Sequence, residues 1–181
     1  MMIEMIEVIV TPDAETEKRL FSRPWALINF RAAVQQATDA MERDVEANAP
    51  KATGDYLRSI SSTVQEYGDP YRIVCRVYST HEAADVIEFG AAPHVVPIHA
   101  IMRWMQAVGM RIHHTRDPRQ VAFTIQQKIA QDGLKPKYVF SQAYDVADGF
   151  FHTAIDPVIA ALGGSATYAI ELRSSGFYVP K

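Results

Sequence analysis

The chain predicts an α+β fold, a small, mostly antiparallel sheet packed against two or three long helices. Three observations carry that prediction. Residues 71–79 alternate apolar and polar after a Tyr67-Gly-Asp-Pro70 turn, the pattern of a strand in a hairpin. Two stretches, 24–49 and 137–162, repeat apolar residues at helical spacing over several turns. Near the end, Tyr168, Ile170 and Leu172 alternate with Ala169, Glu171 and Arg173 to make a last strand.

Taken in order, Met2–Val10 is β-branched and aliphatic and reads as a first strand stopped by Thr11-Pro12-Asp13. Ser22 is the expected N-cap of a helix with Pro24 in its first turn. Trp25, Ile28, Val34, Ala37, Met41 and Val45 form its apolar stripe, and Ala49-Pro50 ends it. Ser59–Gln65 is the strand before the turn, with Ile60 and Val64 on one face. In its partner, Ile73, Cys75 and Val77 share a face. Ala83–Phe89 is short and apolar and reads as a further strand, with a helical turn as the alternative, and Gly90 ends it. A short helix is expected within Pro97–Ala107. Asp117-Pro118 starts another that carries Val121, Ile125 and Ile129 and is C-capped by Gly133. The second long helix carries Phe140, Tyr144, Ala147, Phe151, Ile155, Val158 and Leu162; Pro157 should kink or break it, and Gly163-Gly164 closes it. Residues 1–164 are expected to form one domain, with 165–181 a C-terminal strand and tail.

Composition narrows the functional classes. Among 181 residues, 48% hydrophobic and 22% charged side chains describe a globular protein with enough core to fold without disulfides or a metal. A net charge of −3 argues against a dedicated nucleic-acid binder. The one cysteine, Cys75, excludes an internal disulfide and Cys-based zinc sites, and its place on a strand's apolar face makes it a core residue. The N-terminus has no basic region before its apolar residues and is not a signal peptide. No apolar run approaches the roughly 18 residues of a membrane span, so no membrane partner is expected and folding in a reducing cytoplasm is.

The search for chemistry is brief. His81-Glu82-Ala-Ala-Asp85 is a degenerate form of a metalloprotease helix, but the second histidine is missing, and His81 reads as a polar turn residue. His94, His99, His113 and His114 share no ligand spacing. No nucleophile elbow or glycine-rich phosphate loop is present. The expectation is therefore no catalytic residue, no metal site and no cofactor. The alternatives are a small metal-dependent enzyme built on the histidine-rich loop and a DNA-binding accessory protein using residues 103–137. That stretch holds seven bases, including Arg103, Arg111, Arg116 and Arg119, against two acids, whereas the first fifty residues hold five bases and nine acids. Such asymmetry suits an electrostatic joint between subunits.

Ala49-Pro50-Lys-Ala-Thr53-Gly54-Asp-Tyr-Leu57-Arg58-Ser59-Ile60 resembles a signature of the tail-completion, or neck, proteins of long-tailed bacteriophages, the family of lambda-type minor tail protein Z. Glu88-Phe89-Gly90, followed by Pro93-His94, is similar to the family's E-F-G turn. Ile125–Ile129, Gly133, Pro136, Phe140 and Ala143 match its passage into the last long helix. The motifs span residues 25–162; His94–Arg119 and the last strand are unmatched. The resemblance implies a structural role: a subunit of a homo-oligomeric ring, six-fold by expectation, that joins the tail tube to the head connector. Its implied partners are a head-completion protein, the tail terminator and the tail tube, with DNA passing through the lumen without sequence-specific binding. The implied location is the virion neck, assembled in the host cytoplasm.

Physically, the motif residues are folding devices: Gly54 and Gly90 are expected at positive φ, Leu57 and Ile60 in the core, Arg58 at the surface. Arg103, Arg111, Arg116 and Arg119, together with the apolar face of Tyr168, Ile170 and Leu172, are the expected inter-subunit contacts. That strand either adds to a neighbour's sheet or pairs with Met2–Val10 of its own chain.

Overall fold

The computed structural model describes residues 4–51, 54–111 and 117–174. Strand β1 (Glu4–Pro12) leads through Asp13 into helix α1 (Ala14–Ser22) and then α2 (Pro24–Asn48). A short helix α3 (Asp55–Ser59) precedes the hairpin β2 (Ile60–Tyr67) and β3 (Arg72–Ser79). Helices α4 (Ala84–Phe89), α5 (Ile98–Ala107), α6 (Pro118–Asp132) and α7 (Val139–Ala161) follow, and strand β4 (Ala166–Ser174) comes last.

The four strands form one antiparallel sheet in the order β2-β3-β1-β4. Val8 stands opposite Cys75 on one side and Ile170 on the other, which fixes the register of the buried face. Ile6, Val8, Val10, Ile73, Cys75 and Val77 on that face are fully buried beneath α2 and α7. Phe30, Met41, Phe140 and Phe151 fill the layer between helices and sheet. Full burial of each such side chain contributes roughly 1.5–3 kcal/mol. Burial pushes the Cys75 thiol up to about 11, which suits a core residue and not a nucleophile. The fold is α+β, a sheet covered on one face by two long helices.

Several expectations need correction. The segment expected as a strand is helical over Ala84–Phe89, the outcome held as its alternative. Ser22 caps nothing: it is the last residue of α1, and Arg23 stands at the N-cap of α2 without a side-chain bond. Trp25 and Ile28 lie outside the core at 51% and 63% exposure, and Ala26, Phe30 and Ala33 make the inward stripe instead. Helix α7 neither breaks nor ends at Pro157, which sits in its last two turns. There the missing N–H costs one bond to the Thr153 carbonyl.

β4 pairs with β1 of its own chain along its whole length, and Tyr168, Ile170 and Leu172 pack on the chain's own core. The two glycines do not free this strand from α7. Arg19 of α1 donates to the carbonyls of Leu162 and Gly163, and Ser165 donates its N–H to Asp13 at 2.9 Å. The Asp13 carboxylate also accepts the N–H groups of Glu15 and Thr16, capping α1. The Ser165 hydroxyl, the Thr16 N–H and hydroxyl and the Ser165 N–H hold the Asp13 carboxyl far below the usual carboxylate range.

Candidate functional site

Two of the three motifs singled out in the sequence, Glu88-Phe89-Gly90 and Gly133–Phe140, meet at the junction of α4, α6 and α7. Helix α4 ends at Phe89, and its preceding residue Glu88 turns inward, 0% exposed. The Glu88 carboxylate accepts the backbone N–H of Phe140 at 2.9 Å and of Ser141 at 2.8 Å, together with the Ser141 hydroxyl. These are the second and third residues of α7, whose first-turn N–H groups have no partner within the helix. A carboxylate there is also stabilised by the positive end of the helix dipole. The same segments are stitched by the backbone: Lys137 N–H donates to the Ile87 carbonyl at 2.8 Å and Tyr138 N–H to the Glu88 carbonyl at 3.2 Å. Tyr138 takes a left-handed conformation (φ 54°), which costs a side-chain-bearing residue about 1–2 kcal/mol and is held by this network.

Gly90 and Gly133 complete the clasp. Ala91 and Leu134 exchange backbone hydrogen bonds at 3.0 and 2.9 Å in an isolated antiparallel bridge. Each flanking glycine has φ +75° and faces the opposite strand so closely that a Cβ would lie 2.2 Å from a carbonyl oxygen, Leu134 O for Gly90 and Ala91 O for Gly133. Pro136 and the fully buried Phe140 close the same corner. Phe89 points outward and is half exposed.

Between the two glycines the chain makes an excursion of two helices. α5 and α6 pack on each other through a small cluster of their own, in which Ile101, Met105 and Ala122 are buried. A cavity of about 480 Å³ runs between this arm and the body, lined by apolar side chains including Val86, Ile101, Trp104 and Leu134, with Pro50, Lys135 and Lys137 also on its wall. Arg103, Arg111 and Arg119 are exposed on the arm, and none makes an ion pair among the described residues. Arg116, His113 and His114 lie outside the described residues, as does Thr53.

The first motif stands apart from the clasp. Gly54 has the expected positive φ (77°), and Arg58 is exposed and paired with Asp55. Ile60 is buried and Leu57 partly so, while Tyr56, not singled out in the sequence, is the more deeply buried neighbour. His81 accepts the Ala83 N–H through Nδ1 at 3.1 Å, so it works as a turn residue. The His94 ring nitrogen Nδ1 bonds the Ala92 carbonyl at 2.8 Å. Among the described residues no three His, Cys, Asp or Glu side chains are grouped as a metal ion would require.

Two residues escaped the sequence reading. Glu88 belongs in sequence to the E-F-G turn motif, and the signal for its capping role is an acid set between the apolar Val86-Ile87 and Phe89, directly before Gly90. Glu7 lies on the sheet face away from the long helices yet is 5% exposed, bridging Arg76 at 2.5 Å and Arg173 at 3.1 Å. Its cross-strand neighbours include Arg76, a charge pairing visible only once the register is known.

The fold and the clasp define a class: a two-layer α+β fold with an appended helical arm, whose motif residues at the clasp make backbone and capping contacts. No family model, no characterised protein and no solved structure matches the chain. Among the described residues no helix is long and apolar enough to cross a membrane.

Proposed function

We propose that this chain is a structural subunit of a bacteriophage neck, a tail-completion protein that joins the tail to the head connector as a ring around the passing DNA. One observation supports the reading most. Glu88, Gly90, Gly133, Pro136 and Phe140, which carry the resemblance in sequence, converge on a single clasp at the root of α7. Shared motifs that meet in space serve one structural purpose, here fixing how the arm leaves the body. In this reading the protein is not an enzyme, needs no cofactor and acts through its surface in the virion. Its neighbours are copies of itself, a head-completion protein, the tail terminator and the tail tube.

The test is complementation. Phage lacking the coding sequence should accumulate DNA-filled heads and free tails, and added purified protein should join them. Complete particles formed without the protein would end this reading.

A further inference from the structure

We propose that the α5–α6 arm of one copy docks on the outer face of α2 of a second copy, as the head-to-tail joint of the assembly. The proposal deepens the ring reading and takes from it the expectation of repeated identical contacts.

Each surface carries charge that its own helix does not favour. Helix α6 is N-capped by Asp117 but has no acid within its first turn and places Arg119 there, near the positive end of the dipole. Helix α2 has no base in its last turn but carries Asp44 and Glu46 near its negative end. Along α2, the half-buried Asp39, Glu42 and Glu46 recur at spacings of three and four, three acids beside the single exposed base of that stretch, Arg43. Asp39 and Glu42 are met by Gln35 and Ser62, neutral groups that leave the charge uncancelled. Among the described residues neither these carboxylates nor Arg103, Arg111 and Arg119 form an ion pair. Charges placed against local preference, with no ion-pair partner among the described residues, are what an intermolecular contact accounts for.

Both surfaces also expose aromatic side chains that a lone subunit has no reason to leave in water. On the arm this is Phe123, 48% exposed, while Trp104 lines the cavity towards the body. Phe123 lies one turn beyond Arg119 on the same face of α6. On α2 the acidic stripe continues towards the N-terminus into Trp25 and Ile28, the two residues the helical pattern had placed in the core. Aromatic anchors ringed by complementary charge are the usual composition of a protein interface. Because the two patches differ, the contact is heterologous and propagates from copy to copy, closing into a ring when the rotation permits.

Charge exchange between purified variants tests this directly. One variant carries Arg103→Glu and Arg119→Glu on the arm, the other Asp39→Lys and Glu46→Lys on α2, and circular dichroism establishes that both fold. At low salt, where the Debye length exceeds about 10 Å, the parent should sediment as an oligomer. Either variant alone should lose association by about 100-fold or more, because like charges then face each other. Mixed in equal amounts, the two should assemble together, since each reversed surface meets its complement. Three results would overturn the proposal: variants that associate like the parent, a mixture that stays monomeric, or a parent that is monomeric at low salt. The measurement uses purified protein alone, so its failure would leave the complementation result standing, and the reverse holds equally.

Discussion

Glu88 caps helix α7 from 53 positions away in sequence, its carboxylate 2.8 Å from the Ser141 N–H. A helix N-terminus is usually capped by the residue just before it. Here that residue is Tyr138, which has no side-chain bond to offer, and the cap is delivered by the end of another helix. The capping bond therefore also fixes α4 to α7, and with them the point where the arm departs. Glu88→Ala would leave two buried N–H groups unpaired. Loss of such a charged acceptor costs about 2–4 kcal/mol, so the melting temperature should drop by roughly 5–10 °C. Glu88→Gln keeps an acceptor and should lose less. Equal melting of Glu88→Ala and the parent would show that the bond contributes nothing.

The facing glycines allow strain to be separated from contact. Gly109 also has positive φ (61°), but nothing lies within 4 Å of where its Cβ would stand. Gly109→Ala should therefore cost only the backbone term, about 1 kcal/mol. Gly90→Ala and Gly133→Ala add a carbonyl oxygen at 2.2 Å, and displacing backbone adds about 1–3 kcal/mol on top. Chemical denaturation of the three variants measures the gap. Indistinguishable midpoints would mean that the bridge yields freely.

His152 offers a pH-dependent contact. It lies between Asp148 at 3.3 Å and Asp156 at 2.8 Å on α7, and its ring meets Tyr168 of β4 edge-on at 4.5 Å. The hydrogen bond to Asp156, and then the charges of both carboxylates, raise its pKa above the usual histidine value. A raised folded-state pKa gives stability that is full below the unfolded value, near 6.5, and is lost as pH climbs through the folded one. Asp156 is shifted the other way by Tyr168 and His152, so its share is present above the ordinary carboxylate pKa and fades in acid. The contribution is greatest in the mildly acidic range between. The groups are about half exposed and solvent screens them, so the effect should stay within about 1 kcal/mol. His152→Ala should narrow the melting difference from the parent as pH rises from mildly acidic to alkaline. A difference that widens would reverse the sign argued here.

What could be read from sequence follows from how much apolar surface each element buries. The hairpin, α2, α6 and α7 were legible because their periodicity extends over many residues. α1 was not, because only Thr16 and Leu20 are buried and charged residues supply most of the rest. The available signal was Asp13 followed by Glu15 and Glu17, an N-cap with acids in the first turn. The six residues Ala84–Phe89, four of them apolar, suit a strand or a helix equally, and only the contacts of Glu88 decide. Trp25 and Ile28 fall off the stripe that Val34, Ala37, Met41 and Val45 do form, because its first turns are built from Ala26, Phe30 and Ala33 instead. The clasp is legible only as separate motifs, since periodicity says nothing about which loops meet.

The last strand gives the sharpest test of the fold, because the sequence admitted two opposite outcomes. An inter-subunit strand could be removed and leave a folded subunit that cannot assemble. Instead, β4 covers the open side of β1 with nine residues and sets Tyr168, Ile170 and Leu172 on the core. Its start is tied to α1 through Asp13 and Ser165, and Gly164 approaches Thr16 too closely to admit a side chain. Tyr168 is further joined to α7 by its hydroxyl, which donates to Asp156 at 2.7 Å. Deleting residues 166–181 would bare one edge of β1, the strand that holds the centre of the sheet, and expose the apolar side chains beneath. A loss of that extent exceeds the roughly 4–5 kcal/mol at which single changes become exceptional, and most of a typical domain's stability goes with it. The truncated chain should lose cooperative thermal unfolding and be cleaved quickly by protease. A stable, protease-resistant truncation would instead assign the strand to a neighbour and return Tyr168, Ile170 and Leu172 to the joint between subunits.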